Sequence, residues 1–475
     1  MSLGSILNVA RNAMNAQQAA VQVASQNISN AQTDGYTRER IELTAAVPTT
    51  YPWGTVGNGV SIADVTRTRD ALLDTSFRSE SADAGAASTT SAALQQIQTI
   101  FNEPSDNGLA ATLDKFWSSW SDLANDPTNQ AAKSVVLSAG QDVASQLNQS
   151  ASQLDATDQQ NRQAIQTDVD RVNQLTQQVA DLNTKIVGAE SGGHPANDLR
   201  DARDSAVDEL AKLTGAQTIE RSNGTVGVYA AGRLIVDGSA AKPLQFNDAN
   251  PPAITAGGSA TPLAGLGGSL GAELGLSTSS IPDLMNRLDA LTSALVTNVN
   301  AIHGAGTAYS GTPPVGAPAG NFFDVTNPPP SGGDPRLTAR GVQVAASLTP
   351  DGVAASAGAN PGPGNNDVAL ALAQFKDTSV TITSPGGAAL GNETIGGFYQ
   401  QTIGGLATAT QQAQDNETVQ NTMLSNVTTR RQSESGVSTD EELIDIIQHQ
   451  HSYEAAARLV NVVDDMTQTL VDLGR

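Results

Sequence analysis

The chain has 475 residues, with 48 acidic against 25 basic side chains and a formal net charge of −23 at pH 7; that acidity repels phosphate backbones and anionic bilayers and argues against nucleic acid or membrane as a partner. It contains no cysteine, which excludes disulfides, thiol catalysis and cysteine-ligated zinc. Apolar residues make up 39 % and aromatics only 4 %, so a chain long enough for about two to four domains must pack its cores with Ala, Val, Leu and Ile rather than rings.

Residues 3–30 read as one uninterrupted helix, roughly 40 Å long at 1.5 Å per residue. Leu3, Leu7, Ala10, Met14, Val21, Ala24 and Ile28 recur at alternating steps of four and three, a heptad seam in which Gln17 is the only polar intruder. These first residues lack the basic leader, apolar core and small-residue cleavage site of a secretory signal. No stretch approaches the roughly 18 unbroken apolar residues of a membrane span. A soluble chain is expected, cytoplasmic unless exported by a route that needs no cleaved signal. Asp34-Gly35 ends the helix, and residues 36–85 are expected to hold β-type runs at 37–43 and 56–65 around Pro48, Pro52 and a Gly57-Asn58-Gly59 turn. Helices are expected at 86–101 and 109–124, split by Pro104 and stopped by Asn125-Asp126-Pro127. A long helical run then covers about 130–187, its seam passing through Leu137, Leu147, Leu154, Ile165, Val172, Val179 and Ile186 with a weak start at Gly140. A further helix, 197–213, follows Gly192-Gly193.

The texture changes at 214. Residues 216–237 alternate around an Asn223-Gly224 turn and read as strands with a hairpin. Residues 249–269 read as Gly/Pro/Ala-rich loop, and helix returns at 281–302. Residues 304–366 carry most of the prolines, with short strands expected near Val342, Val344 and 380–382, and helix resumes at 396–430. Thr439 and Glu442 have capping-box spacing at the start of a last helix. Along it Leu459, Val463, Met466, Leu470 and Leu473 again alternate four and three. The fold expected is α+β and multidomain. Residues 1–34 and 437–475 form a terminal coiled-coil unit; 35–213, 266–310 and 396–436 a mainly helical bundle; and 214–265 with 311–395 a mid-chain β-rich outer domain.

Little in the chain carries chemistry. The four histidines are His194, His303, His449 and His451. The first two adjoin Gly-rich turns, and the last two, two apart on a helix, point roughly 200° apart and cannot share a metal. All four are expected to be solvated. No phosphate loop, zinc-protease motif, nucleophile elbow or calcium loop occurs. Asp198, Asp201, Asp204 and Asp208 make one acidic helix face, read as solvated, with a calcium or carboxylate site a distant second. No catalytic residue, cofactor or metal is expected, and the chain reads as a non-enzyme. An apolar helix stripe is ordinarily core. At the two extreme ends, where little globular mass is available to cover it, an intermolecular role is favoured.

Residues 27–38, NISNAQTDGYTR, closely resemble the amino-terminal signature of flagellar rod, hook and hook-associated proteins. The continuation Tyr36-Thr37-Arg38-Glu39-Arg40, the helix 197–213, and 266–323 with its Phe322-Phe323 are similar to the hook-associated protein 1 family. So is 436–473, with Thr439-Asp440-Glu441-Glu442, Tyr453, Ala457-Arg458 and Asp464-Asp465-Met466. The resemblance covers roughly 60 % of the chain, at four places in the family's order, and leaves 304–395 unmatched. It implies a structural subunit at the hook–filament junction of the bacterial flagellum. It further implies type III export, an export chaperone on the carboxy-terminal helix before secretion, and an extracellular site afterwards. The partners implied are hook protein, the next hook-associated junction protein and further copies of the chain in a ring, with the two terminal stripes as the assembly interface. The alternatives are a hook or distal rod protein sharing these termini, a peptidoglycan hydrolase fused to a rod-type end, and a secreted adhesin or effector.

Overall fold

The computed structural model describes residues 3–310, 315–325, 338–358, 362 and 364–474. Long stretches rich in Ala, Ser, Gln and Leu and free of proline let several helices run well past the usual length of about three turns. The chain opens with α1 (Leu3–Asn30) and a long hairpin, β1 (Glu39–Ala45) paired antiparallel with β4 (Val60–Arg67), whose tip is the smaller hairpin of β2 (Thr49–Tyr51) and β3 (Gly54–Val56). Then come α2 (Ala71–Phe101), α3 (Leu109–Asn125) and α4 (Gln130–Ala189). The last has 60 residues, so it is roughly 90 Å long. Asn129 caps it by accepting from the backbone N–H groups of Ala131 and Ala132.

After α5 (Asn197–Thr214) an antiparallel sheet forms from β5 (Gln217–Glu220), β6 (Val226–Ala230), β7 (Arg233–Asp237) and β8 (Ala240–Ala241). The Asn223-Gly224 turn joins its first two strands, as the alternation predicts. A hairpin of β9 (Leu244–Asn247) and β10 (Ala253–Ala256) occupies part of the expected 249–269 loop. Next are α6 (Gly268–Gly275) and α7 (Ile281–Gly304), then β11 (Gly306–Ser310), β12 (Val315–Pro318), β13 (Phe323–Val325), the short α8 (Thr338–Gly341), β14 (Val342–Val344) and β15 (Ala354–Ala357). The chain continues through α9 (Asp367–Phe375), β16 (Val380–Thr383) and β17 (Ala389–Glu393), and closes with α10 (Ile395–Ser435) and α11 (Thr439–Leu473).

Two apolar clusters form around opposite halves of α4. The first joins Val136, Val143, Leu147 and Leu154 of α4 to Phe116, Trp117 and Trp120 of α3, Leu288, Leu291 and Leu295 of α7, and Phe322, Phe323, Leu372, Phe375 and Phe398. The second joins Ile165, Val169, Val172, Leu175 and Val179 to Ala206, Val207 and Leu210 of α5 and to Val228, Ile235 and Val236 of the sheet. The parts of 214–265 and 311–395 expected to share one outer domain thus lie in different clusters where the structure describes them, because α4 is long enough to carry a separate core at each end. Residues 311–314, 326–337, 359–361 and 363 of that expectation lie outside the described residues.

Three local expectations change. α2 begins at Ala71 rather than near 86, because Asp70 caps it through the Leu72 and Leu73 N–H groups. Its first turns bury Ala82, Ala84 and Gly85 rather than large side chains, so they show no heptad of bulky residues. His303 is wholly buried between Trp120 and Phe322, with ring centroids at 6.2 and 5.5 Å. Its Nε2 accepts from Ala354 N–H at 3.1 Å. Nδ1 therefore carries the proton and donates to the Gly320 carbonyl at 2.7 Å; burial holds the ring neutral by lowering its pKa. Finally, Gly140 on α4 is a packing requirement. A Cβ there would come within 2.6 Å of the Phe322 ring.

Gly140→Ala should destabilise the fold by about 1–3 kcal/mol through overpacking. Gly188→Ala, at an open position on the same helix, should stabilise it by about 0.5–1 kcal/mol. Urea unfolding of the two variants checks the opposite signs.

A second prediction concerns Glu273 of α6, buried beside Asp168. Burial first, and the Asp168 charge second, push its carboxyl up from 4.5 to about 8. Between those values the unfolded chain has released this proton and the folded chain has not, so stability falls as pH rises through the window. Glu273→Gln removes that loss. Its melting advantage over the native chain should grow from pH 4.5 to 8 by up to about 1.4 kcal/mol per pH unit and then level off. An advantage independent of pH would refute the account.

Candidate assembly interface

α1 and α11 pack against each other along most of α1. Asn27 donates to Glu442 at 3.0 Å near one end of the pair, and Gln17 meets His449 at 2.6 Å further along, so the helices run antiparallel. By the register those two bonds set, α11 extends past the start of α1 by about two turns. Gln17, the polar intruder in the seam, is thus satisfied across the pair. His449 is not solvated as expected, whereas His194 and His451 are exposed.

The pair is held by small side chains. α1 buries Ala10, Ala16, Ala20, Ala24 and Asn27 in the angle between α11 and the β1–β4 hairpin. Alanine lets helix backbones approach closely, and Gly59 does the same for the hairpin. Its φ of +83° suits only glycine, and a Cβ there would sit 3.1 Å from Val9. At roughly 100° per residue this buried face lies about a quarter turn from the expected seam. Of the seam residues, Ala10 and Ala24 are buried, Leu3, Met14, Val21 and Ile28 are partly covered, and Leu7 is exposed. On α11 only Val463 of the expected five is buried. Leu459, Met466, Leu470 and Leu473 are exposed, the last two to 57 % and 79 %, and Val462 joins them on an outward stripe with steps of three, four, four and three. Leu443, Ile444 and Ile447 are exposed nearer the start of the helix.

Neither apolar cluster takes a described residue from α1 or α11. Their attachment to the body is polar. Asn27, 1 % exposed, is its hub. Its Oδ1 accepts from Glu39 N–H at 3.0 Å and the Tyr36 hydroxyl at 2.8 Å, while its Nδ2 donates to the Glu39 carbonyl and to Glu442. Burial, with Glu39 and Asp201 adding to it, raises the Tyr36 pKa and keeps this hydroxyl a donor. The Arg38 guanidinium reaches Glu442 at 2.6 Å and Glu441 at 3.1 Å, and the Arg38 backbone N–H donates to the Ser435 carbonyl that ends α10. The capping box expected of Thr439 and Glu442 does not form: Ser438 caps α11, and the Glu442 carboxylate serves the hub.

Of the acidic face of α5, Asp198 is exposed as expected, whereas Asp201, Asp204 and Asp208 form the socket for this unit rather than a solvated surface. Asp201 accepts from the Thr37 N–H and hydroxyl at 2.9 and 2.8 Å and pairs with Arg67. Asp204 pairs with Arg67, Arg69 and Arg78, and Asp208 with Arg78 and Arg431. Asp74 of α2 bonds Arg69 and Arg431. Burial works to raise the Asp204 pKa, but Arg69, Arg67 and Arg78 outweigh it and hold the carboxyl below its ordinary value. Gly35, at φ +80°, lies so close to α5 that a methyl group there would overlap the Ser205 hydroxyl. The aspartates taken alone do not disclose this network. Arg67, Arg69, Arg78 and Arg431 lie far from them along the chain. Among the described residues no three His, Asp or Glu side chains converge as a metal site, and no helix is long and apolar enough to cross a membrane.

Residues 94–323 match the family model described as the flagellar hook-associated protein FlgK helical domain. Residues 430–473 match the flagellar basal body rod FlgEFG protein C-terminal model, and 7–37 the flagella basal body rod protein model. The chain is 30 % identical to flagellar hook-associated protein 1 of Bacillus subtilis over 98 % of its own length and 97 % of that protein's. To the protein of the same name in Salmonella typhimurium it is 29 % identical, over 69 % of this chain and 60 % of that one. The structure of the flagellar hook junction protein FlgK from Burkholderia pseudomallei superposes with a TM-score of 0.65 at 18 % identity, covering 77 % of this chain and 100 % of that chain.

Asn27→Ala leaves the Glu39 N–H and the Tyr36 hydroxyl without their partner, each loss worth about 1–3 kcal/mol, and takes from the Glu442 carboxylate one of its two partners. Hydrogen exchange should accelerate throughout α1 and α11 while α4 stays protected. Asn30→Ala, whose amide bonds only the nearby Gln26 carbonyl and Thr33 hydroxyl, is the control and should change neither.

Proposed function

The chain belongs to the flagellar hook-associated protein 1 family, structural components of the flagellum at the junction of hook and filament, and from that premise we propose that it polymerises through α1 and α11. The observation that carries this is the division of labour on α11. Small residues, Val463 and polar bonds make the contact with α1, while Leu459, Val462, Met466, Leu470 and Leu473 are left exposed. A contiguous exposed apolar stripe of this kind marks a protein–protein contact. Residues 1–34 with 437–475 would form the axial unit, and the two clusters around α4 the body outside it. The partners we assign to the axial unit are further copies of the chain in a ring, hook protein on one side and the next junction protein on the other. Before export the same α11 stripe would be covered by a chaperone, which keeps an assembly-prone surface from premature contact. After export the chain would be extracellular. Its role is that of a structural adaptor without catalysis: the aspartates Asp201, Asp204 and Asp208 are engaged in internal ion pairs at the α5 socket. The distal rod or hook alternative shares the termini, but a match to the FlgK helical domain over 94–323 favours the junction.

Leu470→Asp tests the reading. Buried in an assembly, truncation of a leucine costs about 2–5 kcal/mol, an unpaired carboxylate costs more, and a ring repeats the loss at every subunit. In the lone chain Leu470 is exposed, so the melting transition should move by no more than about 0.5 kcal/mol. The variant should be absent from flagella, with hooks lacking filaments in electron micrographs, whereas Asp472→Asn should assemble normally. Export and incorporation are assayed separately, since the same substitution weakens a chaperone contact. A Leu470→Asp chain that melts many degrees lower would mean that the stripe is ordinary core.

A further inference from the structure

The tip of the long hairpin is an apolar surface that the assembly reading does not use. Residues 44–63 contain no charged side chain, in a chain whose net charge is −23. At the tip Trp53 is 66 % exposed and Val47 85 % exposed. Tyr51 stacks on Trp53 with ring centroids 5.0 Å apart and planes 9° from parallel. The other tryptophans, Trp117 and Trp120, are buried. An exposed stacked pair in a chain so poor in rings is a preformed contact surface, since aromatic side chains anchor interfaces with little entropy to lose.

Its position says what it meets. The base of the hairpin, at Glu39, lies against Asn27, and Gly59 lies against Val9. The hairpin therefore runs along α1 toward its amino-terminal end and carries the tip to the end of the subunit where α11 overhangs with Met466, Leu470 and Leu473. Two unpartnered apolar surfaces lie at one end of the same axial unit. Two copies of so acidic a chain repel each other, so they approach best where neither carries charge. The tip has none, and the stripe itself, Leu459, Val462, Met466, Leu470 and Leu473, is wholly apolar, with Asp464, Asp465 and Asp472 turned off it at roughly 100° per residue. A bilayer is a poorer occupant, because the tip offers no Lys or Arg to a headgroup and the chain as a whole is anionic.

We propose that the Tyr51–Trp53 tip of one copy docks on the outward α11 stripe, Leu459 to Leu473, of a second copy of this chain. The proposal rests on the axial assembly reading and adds to it a specific contact: the hairpin becomes the arm by which neighbouring subunits are joined.

The absence of native cysteine makes the contact directly testable. Trp53→Cys and Leu470→Cys, each alone in its own chain, form a bismaleimide cross-link to each other only between copies. The two chains are expressed together, flagella are isolated and treated, and dimer is measured against a control pair of Trp53→Cys with Ile219→Cys, exposed on the distant β5. Several-fold more dimer than the control is the expected result. Both chains present in the flagella with dimer at the control level would overturn the proposal and leave the axial reading standing; a native chain missing from flagella would sink the axial reading instead. Should Trp53→Cys be excluded from flagella, a second pair, Val47→Cys with Met466→Cys, takes its place, and its dimer yield over that of Val47→Cys with Ile219→Cys decides in the same way. Flotation of the native chain, but not of Trp53→Ser, with phosphatidylcholine vesicles would also overturn the proposal by naming a lipid surface as the occupant.

Discussion

The buried charge network on α5 is the constraint on which the arrangement of the molecule depends. Three carboxylates, Asp201, Asp204 and Asp208, are taken out of water and each must be matched. The matching guanidinium groups come from β4, the start of α2 and the end of α10. These are the segments that enter and leave the terminal pair. Such pairing adds little to overall stability against an apolar alternative, but it is directional in a way that apolar packing is not. Thr37, Arg67, Arg69, Arg78 and Arg431 together supply the partners of all three carboxylates. With no apolar cluster reaching α1 or α11, the direction of the axial unit is set by these bonds and by the Asn27 hub.

The motif from Asn27 to Arg38 acquires a physical meaning from this. Asn27 ties α1 to β1 and α11, and Gly35 permits the chain to pass against Ser205. Tyr36 supplies a hydroxyl to the hub, Thr37 reaches Asp201, and Arg38 holds Glu442 and the last carbonyl of α10. Each residue type is required by a different contact.

Legibility in the sequence followed the range of the signal. The long helices at 130–187, 197–213 and 281–302 were readable because a single face of large residues repeats within each. The Asn223-Gly224 hairpin was readable because its turn chemistry is local. The first half of α2 was not, since Ala82, Ala84 and Gly85 pack by being small. The face on which α1 meets α11 was missed for the same reason: Leu3, Leu7 and Met14 drew the seam, while Ala16 and Ala20 made the contact. The socket was missed because it joins residue 37 to residue 201 and residue 74 to residue 431, and no spacing rule spans such distances. His303 was misread because glycines beside it in sequence said nothing of Trp120 and Phe322, which enclose it.

One helix, α4, passes through both apolar clusters without a break. Tilting one cluster against the other would require breaking consecutive backbone hydrogen bonds along that helix, and no proline lies within it to provide a hinge. The two cores therefore form a single stiff lever. A bending or twisting load applied at its far end is passed along the helix toward the joint at α5, where ion pairs yield more readily than a close-packed core can shear. Compliance in this molecule is concentrated at one place, between a rigid spar and the unit through which the chain is held.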